Sequence, residues 1–163
     1  MTDDLLTFEN TLAVLAEYGE AVAAAYKDNL RRDGRPASHA LEKSIKTHVT
    51  TDHGDFVVQM DLEDYWKYIE NDTRPHWPPR EAILRWVEIK PTIPRPYTLD
   101  GREISAKSLA YLVGRKIAEK GTTGTHDMAT AKEQTMDAFR QRLRQAVGHD
   151  VINYIRKVTP GAR

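Results

Sequence analysis

The sequence predicts an α+β fold, with a small antiparallel sheet built on a hairpin and packed by a long N-terminal helix and further helices. Three observations carry that expectation. An apolar stripe of helical period opens the chain, two alternating segments flank an Asp52-His53-Gly54 turn, and the second half returns to helical spacing.

The N-terminal helix rests on Leu5, Phe8, Leu12, Leu15, Gly19, Val22 and Tyr26, which alternate steps of three and four and so share one face. Residues 21–25 add helix propensity. Gly34 and Pro36 end the pattern. Residues 44–50 then alternate, with Ile45, Thr47 and Val49 on one side. Residues 55–62 place Phe56, Val58, Met60 and Leu62 on one face, so the two segments predict a hairpin with one buried side.

Residues 63–70 fit either a short helix or a third strand. A helix is expected from about residue 79 to 88, with Pro79 in its first turn, where a missing N–H costs nothing, and Ile83, Trp86 and Val87 on its apolar face. Pro91, Pro94, Pro96 and Gly101 make residues 91–104 a loop with polyproline character. Ser105 is placed to cap a helix carrying Leu109, Leu112, Val113 and Ile117, closed by Gly121. Residues 121–125 read as a flexible connection. A last helix over residues 128–158 carries Met136, Phe139, Leu143, Val147, Tyr154, Ile155 and Val158, with a bend or break expected at Gly148-His149-Asp150. The expected organisation is one domain over residues 1–163, its core at about 5–145 and a C-terminal helical extension at about 128–158.

Bulk properties narrow the function. The 163 residues include no cysteine, which excludes disulfides, thiolate metal sites and a cysteine nucleophile. The 24 basic and 24 acidic residues cancel, which argues against a protein whose main task is gripping nucleic acid. A mean hydropathy of -0.62 fits a largely wetted surface. No apolar run approaches the roughly 18 residues of a membrane span, so no membrane contact is expected. The acidic start, Met1-Thr2-Asp3-Asp4, lacks the basic region of a signal peptide, which points to a cytoplasm or an assembled particle.

Few constellations suggest chemistry. The histidines, His39, His48, His53, His76, His126 and His149, show no spacing that sets two ligands on one helix face, and scattered surface positions account for them. Asp61 and Glu63 would share a strand face at a spacing a divalent cation can use, although a strand end finishing in solvent is the better account of them. Glu88-Ile89-Lys90, with acids upstream, has the acid–x–lysine form of metal-dependent nucleases, in which acids hold the metal and lysine orients water. That chemistry needs a strand, so that Glu88 and Lys90 project together; here a helix is expected, which points them apart. A nuclease using Asp61, Glu63, Glu88 and Lys90 is therefore the alternative reading. No phosphate loop, nucleophile elbow or other cofactor motif is present, and no cofactor is expected.

The aromatic block is the most unusual feature. Tyr65, Trp66, Tyr68, Trp77 and Trp86 include all three tryptophans, and Asp64, Glu70 and Asp72 lace the block with charge that repels phosphate. Core packing and a protein–protein interface both suit it. Arg140, Arg142, Arg144, Arg156 and Lys157 make the last helix basic, either as a solvated face or as a contact with a partner or DNA phosphate. Tyr65, Trp66, Tyr68, Trp77, Trp86, Arg140 and Arg144 are the candidate interface residues.

Asp64-Tyr65-Trp66-Lys67-Tyr68-Ile69-Glu70-Asn71-Asp72-Thr73, followed by His76-Trp77-Pro78-Pro79, resembles the signature of tailed-bacteriophage head–tail joining and tail-completion (neck) proteins. The stretch from Pro79 through Ala82, Ile83 and Trp86 resembles the next helix of that family, and residues 109–126 resemble a further helix with its Gly-Thr exit. The resemblance covers roughly residues 5–145. Two departures stand out: Ala37-Ser38-His39-Ala40-Leu41 replaces an Arg-Thr-Gly motif, and Asn71 replaces a turn glycine, a substitution that asparagine's tolerance of left-handed backbone permits. The resemblance implies a structural virion protein with no catalytic or metal residue, a homo-oligomeric ring at the neck or top of the tail. Its partners would be other neck, portal-adaptor or tail-tube proteins, and double-stranded DNA would pass through the lumen without sequence-specific binding. It would be found in the virion and, during assembly, in the host cytoplasm.

Overall fold

A computed structural model of the chain describes residues 7–32, 39–89, 101 and 103–159. The fold is α+β, and the described residues are 67% helical. Helices α1 (Glu9–Arg32) and α2 (Ala40–Ser44) precede strands β1 (Lys46–Asp52) and β2 (Asp55–Asp61). Helices α3 (Trp66–Glu70), α4 (Arg80–Ile89), α5 (Ala106–Lys120) and α6 (Asp127–Val158) follow. The contacts divide into two compact units, one holding α1, the hairpin and α6, the other built mainly from α2 to α5. Among the described residues no helix is long and apolar enough to cross a membrane.

In the first unit α1 and α6 run antiparallel. Asn29 Nδ2 donates to the Asp127 carbonyl at one end (3.0 Å), Tyr18 stacks on Phe139 midway, and Asn10 and Thr11 meet Asp150 at the other end. The buried face of α1 is Thr11, Leu15, Gly19, Val22, Ala23, Tyr26, Asn29 and Leu30. The expected stripe therefore holds from Leu15 onward. Leu12 lies largely outside it, and Thr11 takes the inward position because it faces Asp150.

Phe8 precedes the helix: its carbonyl accepts from Leu12 N, as an N-cap residue's does, but its side chain has no oxygen to cap with. Its ring packs edge-on against Phe56 of the hairpin, centroids 5.3 Å apart. The cap comes from the far end of the chain. Asp150 Oδ1 accepts from Asn10 N (3.1 Å) and Asn10 Nδ2 (2.7 Å), and Oδ2 accepts from Thr11 N (2.8 Å) and Thr11 Oγ1 (2.6 Å). Burial alone pushes the Asp150 carboxyl up; these four hydrogen bonds together outweigh it and hold the group below the ordinary aspartate range.

The expected break at Gly148-His149-Asp150 is absent, and α6 runs continuously from Asp127 to Val158. A glycine costs a helix only about 1 kcal/mol, and here the adjoining Asp150 contact holds that turn in place. The expected stripe of α6 is half-buried at Met136, Phe139, Leu143 and Tyr154, whereas Val147, Ile155 and Val158 are exposed; Asp127, Met128, Ala131, Ala146 and Asp150 are the buried positions.

The hairpin matches the expected alternation. Thr47, Val49, Phe56, Val58 and Met60 face inward, with Val49 opposite Val58 and Thr47 opposite Met60. His53 and Gly54 both have positive φ (48° and 92°), the signature of a two-residue type I′ turn that matches strand twist. A Cβ on Gly19 would lie 3.0 Å from Val58 Cγ1 and 3.2 Å from Thr47 Cβ, so the missing side chain of α1 is where the hairpin sits.

In the second unit the residues after Leu62 form the short helix α3 rather than a strand. Helix α2 was not anticipated; residues 40–44 lie where the chain was expected to approach or enter the first strand. His39, at φ 53°, starts it by accepting from Lys43 N, and its ring pairs with Glu42 (3.1 Å). Pro79 is the residue before α4 rather than its first member, its carbonyl accepting from Ala82 N and Ile83 N. Ser105 caps α5 as expected, its Oγ accepting from Ser108 N (3.2 Å). Ala110 and Gly114 are the buried positions of α5, while Leu109, Val113 and Ile117 are half-buried and Leu112 is exposed.

Candidate functional site

Residues 121–125 are a pinned joint and not the flexible connection expected of them. Thr73 and Thr122 form an isolated antiparallel bridge, with Thr73 N donating to Thr122 O (2.9 Å) and the two hydroxyls 2.7 Å apart. Gly124 N donates to Asp72 Oδ1 (2.8 Å), Thr125 N to the Ile69 carbonyl (2.9 Å) and His126 N to the Glu70 carbonyl (3.2 Å). The exit of the aromatic motif and the Gly-Thr exit of α5 thus close on each other. The glycines make this possible. A Cβ on Gly121 (φ 72°) would lie 1.9 Å from the Thr73 carbonyl oxygen, and one on Gly124 would lie 2.2 Å from that of Glu70. Asn71 adopts extended backbone (φ -105°, ψ 150°), so the left-handed turn expected there does not form. The left-handed positions fall instead on His126 and Gly121 across the joint.

The five candidate aromatics all belong to this unit. Trp66 is half-buried; Tyr65, Trp77 and Trp86 are exposed, and Tyr68 is 68% exposed. Trp77 meets a partner that the sequence reading passed over, Tyr111 of α5. Their ring centroids are 6.2 Å apart and the planes inclined by 31°. Tyr111 sits three residues before Gly114, against which the Trp77 ring packs, 3.7 Å from where a Cβ would stand, an ordinary contact distance. That small residue one turn from an aromatic was the available signal. Trp77, Pro78, Ile83, Ala110, Tyr111 and Gly114 line a groove of about 750 Å³, with Arg80, Glu103 and Lys107 also on its wall.

Arg140 and Arg144 lie in the first unit, exposed on α6, with Arg140 facing Asp137 (3.7 Å) and the intervening Arg142 paired with Glu17 of α1. The residues of the nuclease alternative are dispersed along the chain. Asp61 is the last residue of β2, Glu63 lies beyond the strand and so does not share its face, and Glu88 is in the last turn of α4; Lys90 and most of the 91–104 loop lie outside the described residues. Among the described residues no three His, Asp or Glu side chains come together at a metal-holding spacing. His39, His53 and His126 occupy left-handed backbone, which histidine adopts more readily than most residues.

The geometry offers a hydrogen-bonded joint and an exposed aromatic groove. No protein-family model, curated protein or solved structure matches the chain.

Proposed function

We propose that this chain is a structural subunit of a tailed-phage virion, a head–tail connector or tail-completion component that assembles as a homo-oligomeric ring and catalyses no reaction. One observation carries the reading. The stretches that resemble the neck-protein signature, residues 64–79 and 109–126, meet at the bridged joint and at the Trp77–Tyr111 groove. A motif shared for architectural reasons has that property: its members hold one another, and their unused faces are aromatic. Exposed tryptophan and tyrosine on one unit suit a protein partner, because flat amphipathic rings bury large area at low entropy cost. The balanced charge suits a lumen that lets DNA slide, and the neighbours above and below would be other neck or tail-tube proteins.

Co-sedimentation with purified tail-less heads and with isolated tails tests this. The protein is expected to pellet with one particle type and not the other, and Trp77→Ala or Tyr68→Ala to reduce binding by at least about tenfold. Absence from both pellets overturns the proposal.

A further inference from the structure

We propose that the Trp77–Tyr111 groove receives the proline segment, residues 91–97, of a second copy of this chain. The inference rests on the ring reading and names the contact that would build the ring.

The groove is suited to proline. Its two aromatic rings are exposed, their centroids 6.2 Å apart, and the small residues Ala110 and Gly114 also line it. Proline C–H groups pack well on electron-rich ring faces. A proline-rich chain also loses little conformational entropy on docking, which is why aromatic grooves recur as its receptors.

The chain carries a matching occupant. Pro91-Thr92-Ile93-Pro94-Arg95-Pro96-Tyr97 contains prolines three apart, the spacing that aligns them along one edge of a three-residue-per-turn helix. The segment lies between the end of α4 at Ile89 and Glu103 on the groove wall. Linking two packed helices takes only about 2–8 residues, so the chain here is longer than the connection requires. Arm and groove are different surfaces of one chain. Each copy would both give and receive, a head-to-tail contact that builds a ring when its rotation closes, whereas a self-complementary patch stops at a dimer.

The test uses the full-length chain in two variants. In the arm variant Pro91, Pro94 and Pro96 become serine; in the groove variant Trp77 becomes alanine. A synthetic peptide of residues 89–99 is titrated into the arm variant while tryptophan fluorescence and indole N–H resonances are followed. Saturable binding is expected, weakened at least about tenfold when Tyr111→Ala is added. Wild-type chain is expected to show concentration-dependent shifts of the Trp77 resonance that the arm variant loses, and the groove variant is expected not to bind the peptide. No peptide binding overturns the proposal. So does a Trp77 resonance that differs between wild type and arm variant yet does not change on dilution, since a chain's own arm would then fill its groove. Rings that persist in the arm variant remove this contact and leave the ring reading standing.

Discussion

Replacing Asp150 with alanine tests the least expected contact of the fold. The substitution removes both oxygens that cap α1, leaving the N–H groups of Asn10 and Thr11 and the Thr11 hydroxyl without their acceptor. A lost helix cap costs about 1–2 kcal/mol, and a buried hydroxyl stripped of its partner costs about 1 kcal/mol more. The expected loss is therefore about 2–3 kcal/mol, or roughly 4–12 °C in Tm for a chain of this size. Asp150→Asn keeps one carbonyl oxygen and is expected to lose about half as much. Urea unfolding followed by circular dichroism supplies the free energies, and hydrogen exchange at Asn10 and Thr11 reports the cap itself. A loss below about 1 kcal/mol with unchanged exchange at those amides would refute the reasoning. The contact also has a pH signature. Because its folded-state pKa lies below the ordinary 3.8, the unfolded chain takes the proton more readily. Asp150's contribution is complete above the ordinary value and is lost as pH falls through the folded one. The stability gap between wild type and Asp150→Asn is expected to shrink in that acid window and to stay level above it.

The joint between α3 and α5 gives a second test: Gly121→Ala and Gly124→Ala each drive a Cβ into a backbone carbonyl and are expected to cost at least about 2 kcal/mol, with faster exchange at Thr122 and Thr125. Gly148→Ala has the opposite sign, because nothing stands within 4 Å of the new Cβ, and thermal melts should show a gain of about 0.5–1 kcal/mol. At the hairpin, His53→Asn puts the favoured Asn-Gly pair into the type I′ turn and is expected to add about 0.5 kcal/mol, whereas Gly54→Ala at φ 92° is expected to cost about 1 kcal/mol.

What the sequence made legible was periodic. The α1 stripe from Leu15 to Tyr26, the two faces of the hairpin, the Ser105 cap and the Gly121 stop are local patterns, and the structure contains each of them. What it hid was long-range and polar. Asp150 follows a glycine and a histidine and reads as a helix break; only its contact with Asn10 and Thr11, at the opposite end of the sequence, makes it a cap. Residues 121–125 carry turn chemistry and read as a linker, because the carbonyls of Ile69 and Thr73 that receive the Thr125 and Thr122 N–H groups are far away in sequence. Leu12 and Leu112 were placed inside on period alone, yet Thr11 and Ala110 sit inward, one for a hydrogen bond and one for close packing. At the candidate site Trp77 was legible as an unusual residue, but its pairing with Tyr111 required the return of α5. Helix α2 escaped because its five residues are too short to show a period.

The central claim is assembly, and light scattering tests it most directly. Mass is measured for the protein alone across a wide concentration range, and again after mixing with tail-less heads or isolated tails. The account predicts a discrete ring-sized species, or a strict increment of mass on one of the two particles. A monomer of 18.6 kDa at every concentration that adds to neither particle would contradict it.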